Sequence, residues 1–142
     1  MVYLAHLLDE RFFGEGTAAW ATEHTHLYFT NTAWFWVNLP SFVLFSWTAA
    51  LAASGRLPVW CQVGLCTHLL LHALARVVGS LGTATLAPGV ITGVALCTPA
   101  AFAVLARARP SLSQRGLAVG SAVGLASFQP LWHFLLHPFL AG

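Results

Sequence analysis

The chain contains no lysine, and its six arginines and four carboxylates amount to 7% of 142 residues. Soluble domains are roughly one-quarter charged. A chain this poor in charge, and 58% hydrophobic, cannot dress itself in a hydrated surface. That excludes a soluble enzyme, and the absence of any basic run excludes nucleic acid as a partner; the composition belongs to the membrane class. Cysteine is scarce too. Cys61, Cys66 and Cys97 lie in apolar segments without a CxxC pair, which rules out a disulfide framework or zinc knuckle and leaves them as small core residues. No basic stretch precedes the first apolar run, and His6, Asp9, Glu10 and Arg11 interrupt it, so a cleaved signal peptide is not expected. Internal repeats are absent, which argues against a transporter built from them. Arginine without lysine, among abundant Ala, Gly and Leu, is the bias of a GC-rich coding sequence and suggests a bacterial origin.

What remains is apolar and periodic. Four segments have the length needed to span a bilayer as helices, at about 29–53, 58–79, 88–106 and 117–139, separated by the turn-rich stretches SGRLP, GSLGTATLAPG and RARPSLSQRG. Residues 2–13 are periodic but too short to span, and the polar GEGTAAWATEHTH ties them to the first span. The expected architecture is all-α: a single integral membrane domain over 1–142, a four-helix bundle with a short N-terminal interfacial or re-entrant half-helix. Arg56 follows the first span, and Arg107, Arg109 and Arg115 follow the third. The positive-inside rule makes that side cytoplasmic and both termini extracytoplasmic. Trp34, Phe35 and Trp36 suit an interfacial belt, while Asn31, Asn38 and Gln129 suit interhelical hydrogen bonds.

All seven histidines then fall on the side opposite the arginine loops. HLLLH (68–72) and HFLLH (133–137) are i,i+4 pairs, so each directs two imidazoles from one helix face. His6 and Glu10 are also i,i+4, with Asp9 beside them. His24 and His26 read as solvated loop residues. Imidazoles with carboxylates suit iron or zinc, and His6, Glu10, His68, His72, His133 and His137 form a donor set large enough for two divalent ions. Asp9 would be a ligand or general base. Arg76, one turn beyond His72, would bind an anionic group, orient a ligating carboxylate, or simply pair with Asp9 or Glu10.

HLLDE at 6–10 resembles the motif of the HXXEE membrane proteins, with Asp9 where that family has its first Glu. The segment 72–99 resembles a later block of the family through His72, Pro88, Gly89, Thr92 and Pro99, without the aromatic that often precedes the Pro-Gly. The resemblance implies that His6, Asp9, Glu10 and His72 act together; it implies no reaction. Membrane di-iron oxygenases differ, carrying HxxHH boxes that this chain lacks. The expected function is a membrane metalloenzyme acting on a lipophilic small molecule, with O2-dependent oxidation at iron favoured. The alternatives are a zinc-dependent hydrolase, a metal-free acid–base cyclase or isomerase using Asp9 or Glu10, and a metal or proton carrier. A bundle this small leaves most of its surface against lipid or a second copy of itself.

Overall fold

The computed structural model describes residues 2–12, 16–25 and 30–128, and among them every regular element is helical. Six helices follow one another: α1 Val2–Phe12, α2 Gly16–Thr25, α3 Asn31–Ala53, α4 Val59–Thr83, α5 Val90–Ser111 and α6 Gln114–Ala126. Three of them, α3, α4 and α5, are long and apolar enough to cross a membrane.

Caps set the boundaries. Thr30 accepts from the Ala33 N–H at the start of α3, and Ser113 does the same for Gly116 at the start of α6. Pro58 precedes α4, where its missing N–H costs nothing. Within α5, residues Gly93–Cys97 form a π-helical turn just ahead of Pro99. Pro99 cannot donate back to the preceding turn, and the wide turn absorbs that gap while the Thr98 hydroxyl bonds the Gly93 carbonyl at 3.0 Å.

Helix α4 is central. Val63, Gly64, Cys66, His68, Leu69, His72 and Ala73 are buried along it. Its contact with α6 is a backbone approach: a Cβ on Gly124 would lie 2.5 Å from the Gly64 carbonyl oxygen, and one on Gly120 would strike the Trp60 carbonyl. Gly120-x-x-x-Gly124 is the small-residue spacing that lets two helix backbones touch. Phe45, Cys66, Leu69, Cys97 and Ala101 make a compact core between α3, α4 and α5, which Val2 and Tyr3 of α1 join.

Helix α1 is turned inside out. His6 and Glu10 face inward, fully buried, while Leu4, Leu8 and Phe12 form an exposed apolar stripe, Phe12 at 71%. Residues 16–25, expected as a polar connection, are instead helix α2. Trp20 anchors it: its ring packs where a Gly79 side chain would stand, and its indole N–H donates to Thr85 Oγ1 at 2.9 Å. Among the described residues Asn38 makes no interhelical bond; its amide donates to the Trp34 carbonyl one turn back. Trp34 itself is buried rather than part of an exposed belt, whereas Phe35 and Trp36 are exposed. The fourth expected span is described only through α6, and residues 129–142, with Gln129, His133 and His137, lie outside the described residues, as does His26.

Candidate metal centre

Helices α1 and α4 meet at the start of α5, and there His6, Glu10 and His72 bring one ligand atom each to within 4.8 Å of one another, all buried. The i,i+4 spacing puts His6 and Glu10 on one face of α1, with His6 Nε2 3.5 Å from Glu10 Oε1. Gly89 makes this approach available. It adopts φ +85°, and a Cβ there would lie 2.6 Å from Glu10 Cγ and 3.0 Å from His6 Cε1. The Pro-Gly turn thus brings the N-terminus of α5 directly onto the two site residues of α1.

Asp9 stands beside the cluster rather than within it. Its Oδ2 accepts from the Thr92 N–H at 3.2 Å and the Thr92 hydroxyl at 2.7 Å, capping α5 from another helix. That arrangement fixes the tautomer of His6. A carboxylate only accepts, so the Thr92 hydroxyl gives its single proton to Asp9 and must accept from His6 Nδ1–H, 2.9 Å away. In the neutral ring His6 Nε2 is left as a lone pair, 3.5 Å from a Glu10 carboxylate oxygen. Two acceptors face each other across a buried gap. Among the described residues, His6 Nε2 and His72 Nε2 have no hydrogen-bond partner, although both are buried.

His68 lies one turn before His72. Ser127 Oγ is 2.8 Å from His68 Nδ1 and 2.9 Å from the Gly124 carbonyl, and among the described residues His68 Nε2 has no hydrogen-bond partner. Its ring stands 4.7 Å from that of His72, centroid to centroid, but it does not join the three-ligand cluster.

Arg76 donates to Glu10 Oε1 through Nε at 2.8 Å and also through Nη2. The ion pair accounts for burying Glu10. It does not account for the buried ring nitrogens of His6 and His72 that have no partner among the described residues. A divalent ion fits both: histidines whose other ring nitrogen is tied to a hydroxyl or carboxylate network are the usual metal ligands, and a carboxylate can serve both a guanidinium and an ion. Burial holds the His6 imidazole below its ordinary value of 6.5; Glu10 and Asp9 oppose that and Arg76 reinforces it. The ring is therefore kept in the neutral form a ligand requires.

His24 lies on α2 rather than in a loop, stacked on Trp20 and bonded to its carbonyl, outside the cluster. Glu23 is exposed on α2. The expected ligands His133 and His137 lie outside the described residues. Ser127 was not anticipated: a lone serine at the end of an apolar helix carries no signal of its own. Thr92 and Gly89 had one signal, a Pro-Gly break followed three residues later by a hydroxyl at a helix start. No protein-family model, no curated protein and no solved structure matches this chain, so the likeness of HLLDE to a known motif rests on the residues alone.

Proposed function

We propose that this is an integral membrane protein in which His6, Glu10 and His72 hold one divalent metal ion, and that it is a metalloenzyme acting on a lipophilic small molecule. The observation that carries the reading is the pair of buried imidazole nitrogens without partners among the described residues, one of them, in the neutral ring, a lone pair facing Glu10. The membrane part is supported by the three long apolar helices and by α1, whose polar face is buried and whose Leu4, Leu8 and Phe12 face outward. Counted along α4 from Val59, His72 sits about 20 Å from the helix start, well inside a hydrocarbon layer about 30 Å thick.

Two imidazoles and one carboxylate with open positions are the donor set of non-haem iron oxygenases, which favours O2-dependent oxidation; the same donors also take zinc. When bound, iron would supply oxygen activation, and zinc an activated water. The chain's own residues then have defined tasks. Asp9, through Thr92, holds the His6 ring and its tautomer. Arg76 supplies the counter-charge that lets Glu10 remain buried beside the site. Metal-free acid–base chemistry finds less support, because Asp9 is engaged by Thr92 and Glu10 by Arg76.

The test is metal analysis of protein purified in mild detergent without a histidine tag. Wild type should carry about one equivalent of iron or zinc per chain, as set by the three-ligand cluster. His72→Ala and Glu10→Ala should lose it. Metal-free wild type that also fails to take up iron or zinc on reconstitution would sink the reading.

A further inference from the structure

Arg56, Arg107, Arg109 and Arg115 are exposed, and none has a carboxylate partner among the described residues. Packing brings the four to one end of the bundle. Helices α4 and α6 run parallel: a Cβ on Gly120 would strike the Trp60 carbonyl oxygen, and one on Gly124 the Gly64 carbonyl oxygen. Both helices therefore start at the same end, with Arg56 just before α4 and Arg115 in the first turn of α6. Helix α5 runs the other way, and a Cβ on its Gly93 would lie 3.3 Å from Ala73 Cα of α4. Arg107 is fourteen residues after Gly93, and Val59 is fourteen before Ala73. Both stretches rise about 21 Å, so Arg107 comes level with the start of α4. Arg109 follows it by two residues.

No acid neutralises that end. The chain has no acidic side chain beyond Glu23. Glu10 pairs with Arg76 near the far end of α4, and α2, which carries Glu23, docks there through Trp20 on Gly79. The positive ends of the α4 and α6 dipoles point the same way as the arginines. Trp60, in the first turn of α4, is exposed beside them, the place an aromatic ring takes at a headgroup boundary. Four cations spread over two helix junctions, at one end of helices long enough to cross a membrane, complement a layer of anions. We propose that this end binds anionic phospholipid headgroups, with Arg56, Arg107, Arg109 and Arg115 engaging their phosphates. The inference rests on the membrane part of the reading above and not on its metal. Such binding sets the depth of α4: with its start held at the phosphates, His72 lies about 20 Å in, nearer the opposite leaflet.

The experiment uses the full chain, purified in a non-ionic detergent and stripped of lipid. It is titrated with dioctanoyl phosphatidylglycerol or dioctanoyl phosphatidylcholine, and bound lipid is counted by native mass spectrometry. Phosphatidylglycerol should bind at least about tenfold more tightly, and the preference should shrink as salt is raised. Each arginine near a lipid phosphate is worth about fivefold in affinity, so Arg56→Gln/Arg115→Gln should weaken phosphatidylglycerol about 25-fold and leave phosphatidylcholine unchanged. Arg107→Gln/Arg109→Gln should repeat the loss, so that misfolding of one pair leaves the other to decide. Arg11→Gln, at the other end, should keep the wild-type preference. Equal binding of the two lipids by wild type, an unchanged preference in both double variants, or displacement of the lipid by inorganic phosphate at constant ionic strength overturns the proposal. A chain that stays in the aqueous phase on detergent phase separation would sink the membrane reading with it. One that enters the detergent but does not discriminate between the lipids would sink this inference alone.

Discussion

Gly89→Ala tests whether the Pro-Gly turn brings α5 onto the His6/Glu10 face of α1. Two costs act at that position. The backbone has φ +85°, and a side chain in the left-handed region costs about 1–2 kcal/mol. The added Cβ would also lie 2.6 Å from Glu10 Cγ and 3.2 Å from Glu10 Oε1, against a carbon–carbon contact distance of about 3.5–4.0 Å. Helix α1 must yield by about 1 Å, an overpacking cost of roughly 1–3 kcal/mol. The total is about 2–5 kcal/mol. Two other glycines separate the costs. Gly55 has φ +68° but nothing within 4 Å of a Cβ, so Gly55→Ala should show the backbone cost alone. Gly82 lies in α4 with nothing near and no unusual φ, so Gly82→Ala should be neutral or stabilise by about 0.5–1 kcal/mol. The assay is thermal exposure of the buried thiols Cys66 and Cys97 to a fluorogenic maleimide in detergent, in a Cys61→Ala background because Cys61 is already part-exposed. The midpoint should fall in the order Gly82→Ala, Gly55→Ala, Gly89→Ala, with Gly89→Ala also losing metal, since moving α1 carries His6 and Glu10 away from His72. Equal midpoints for Gly89→Ala and Gly55→Ala would refute the close approach.

Thr92→Val keeps the shape of the side chain but unlinks Asp9 from His6, and metal affinity measured against a competing chelator should fall about 10–100-fold; a change under twofold would show that the relay does not orient the ligand. Arg76→Met leaves Glu10 buried without its counter-charge and should destabilise by about 3–5 kcal/mol in the thiol-exposure assay, with part of the loss recovered in Arg76→Met/Glu10→Gln. The pH dependence follows from His6. Its folded-state value lies below the ordinary 6.5, so the unfolded chain takes up the proton first and stability rises with pH through that window. Chelator-treated protein should therefore melt lower as pH falls below about 6.5, and His6→Asn should flatten the slope. An unchanged slope in that variant would place the titration elsewhere.

The sequence by itself determined that the chain is helical, with helices long and apolar enough to span a membrane, and which side chains share a helix face. Charge scarcity and apolar length are one-dimensional properties, and i,i+4 spacing places His6 with Glu10 on one face because helical geometry is local. It also made Asp9 and Arg76 candidates. Which candidates meet was decided by tertiary packing. Glycine contacts bring α4 against α6 and the start of α5 against α1, and those approaches select His72 for the cluster, send Asp9 to Thr92 and set His68 against Ser127. Residues 16–25 looked like a polar tie because their hydrophobic signal is weak, yet they form a helix through a single tryptophan docked on Gly79. None of these pairings could be read from spacing, since Glu10 and Arg76 are 66 residues apart and His6 and Thr92 are 86. Sequence sets the donors that a helix face can offer; which nitrogen of the His6 ring carries its proton depends on a hydroxyl brought to it by another helix.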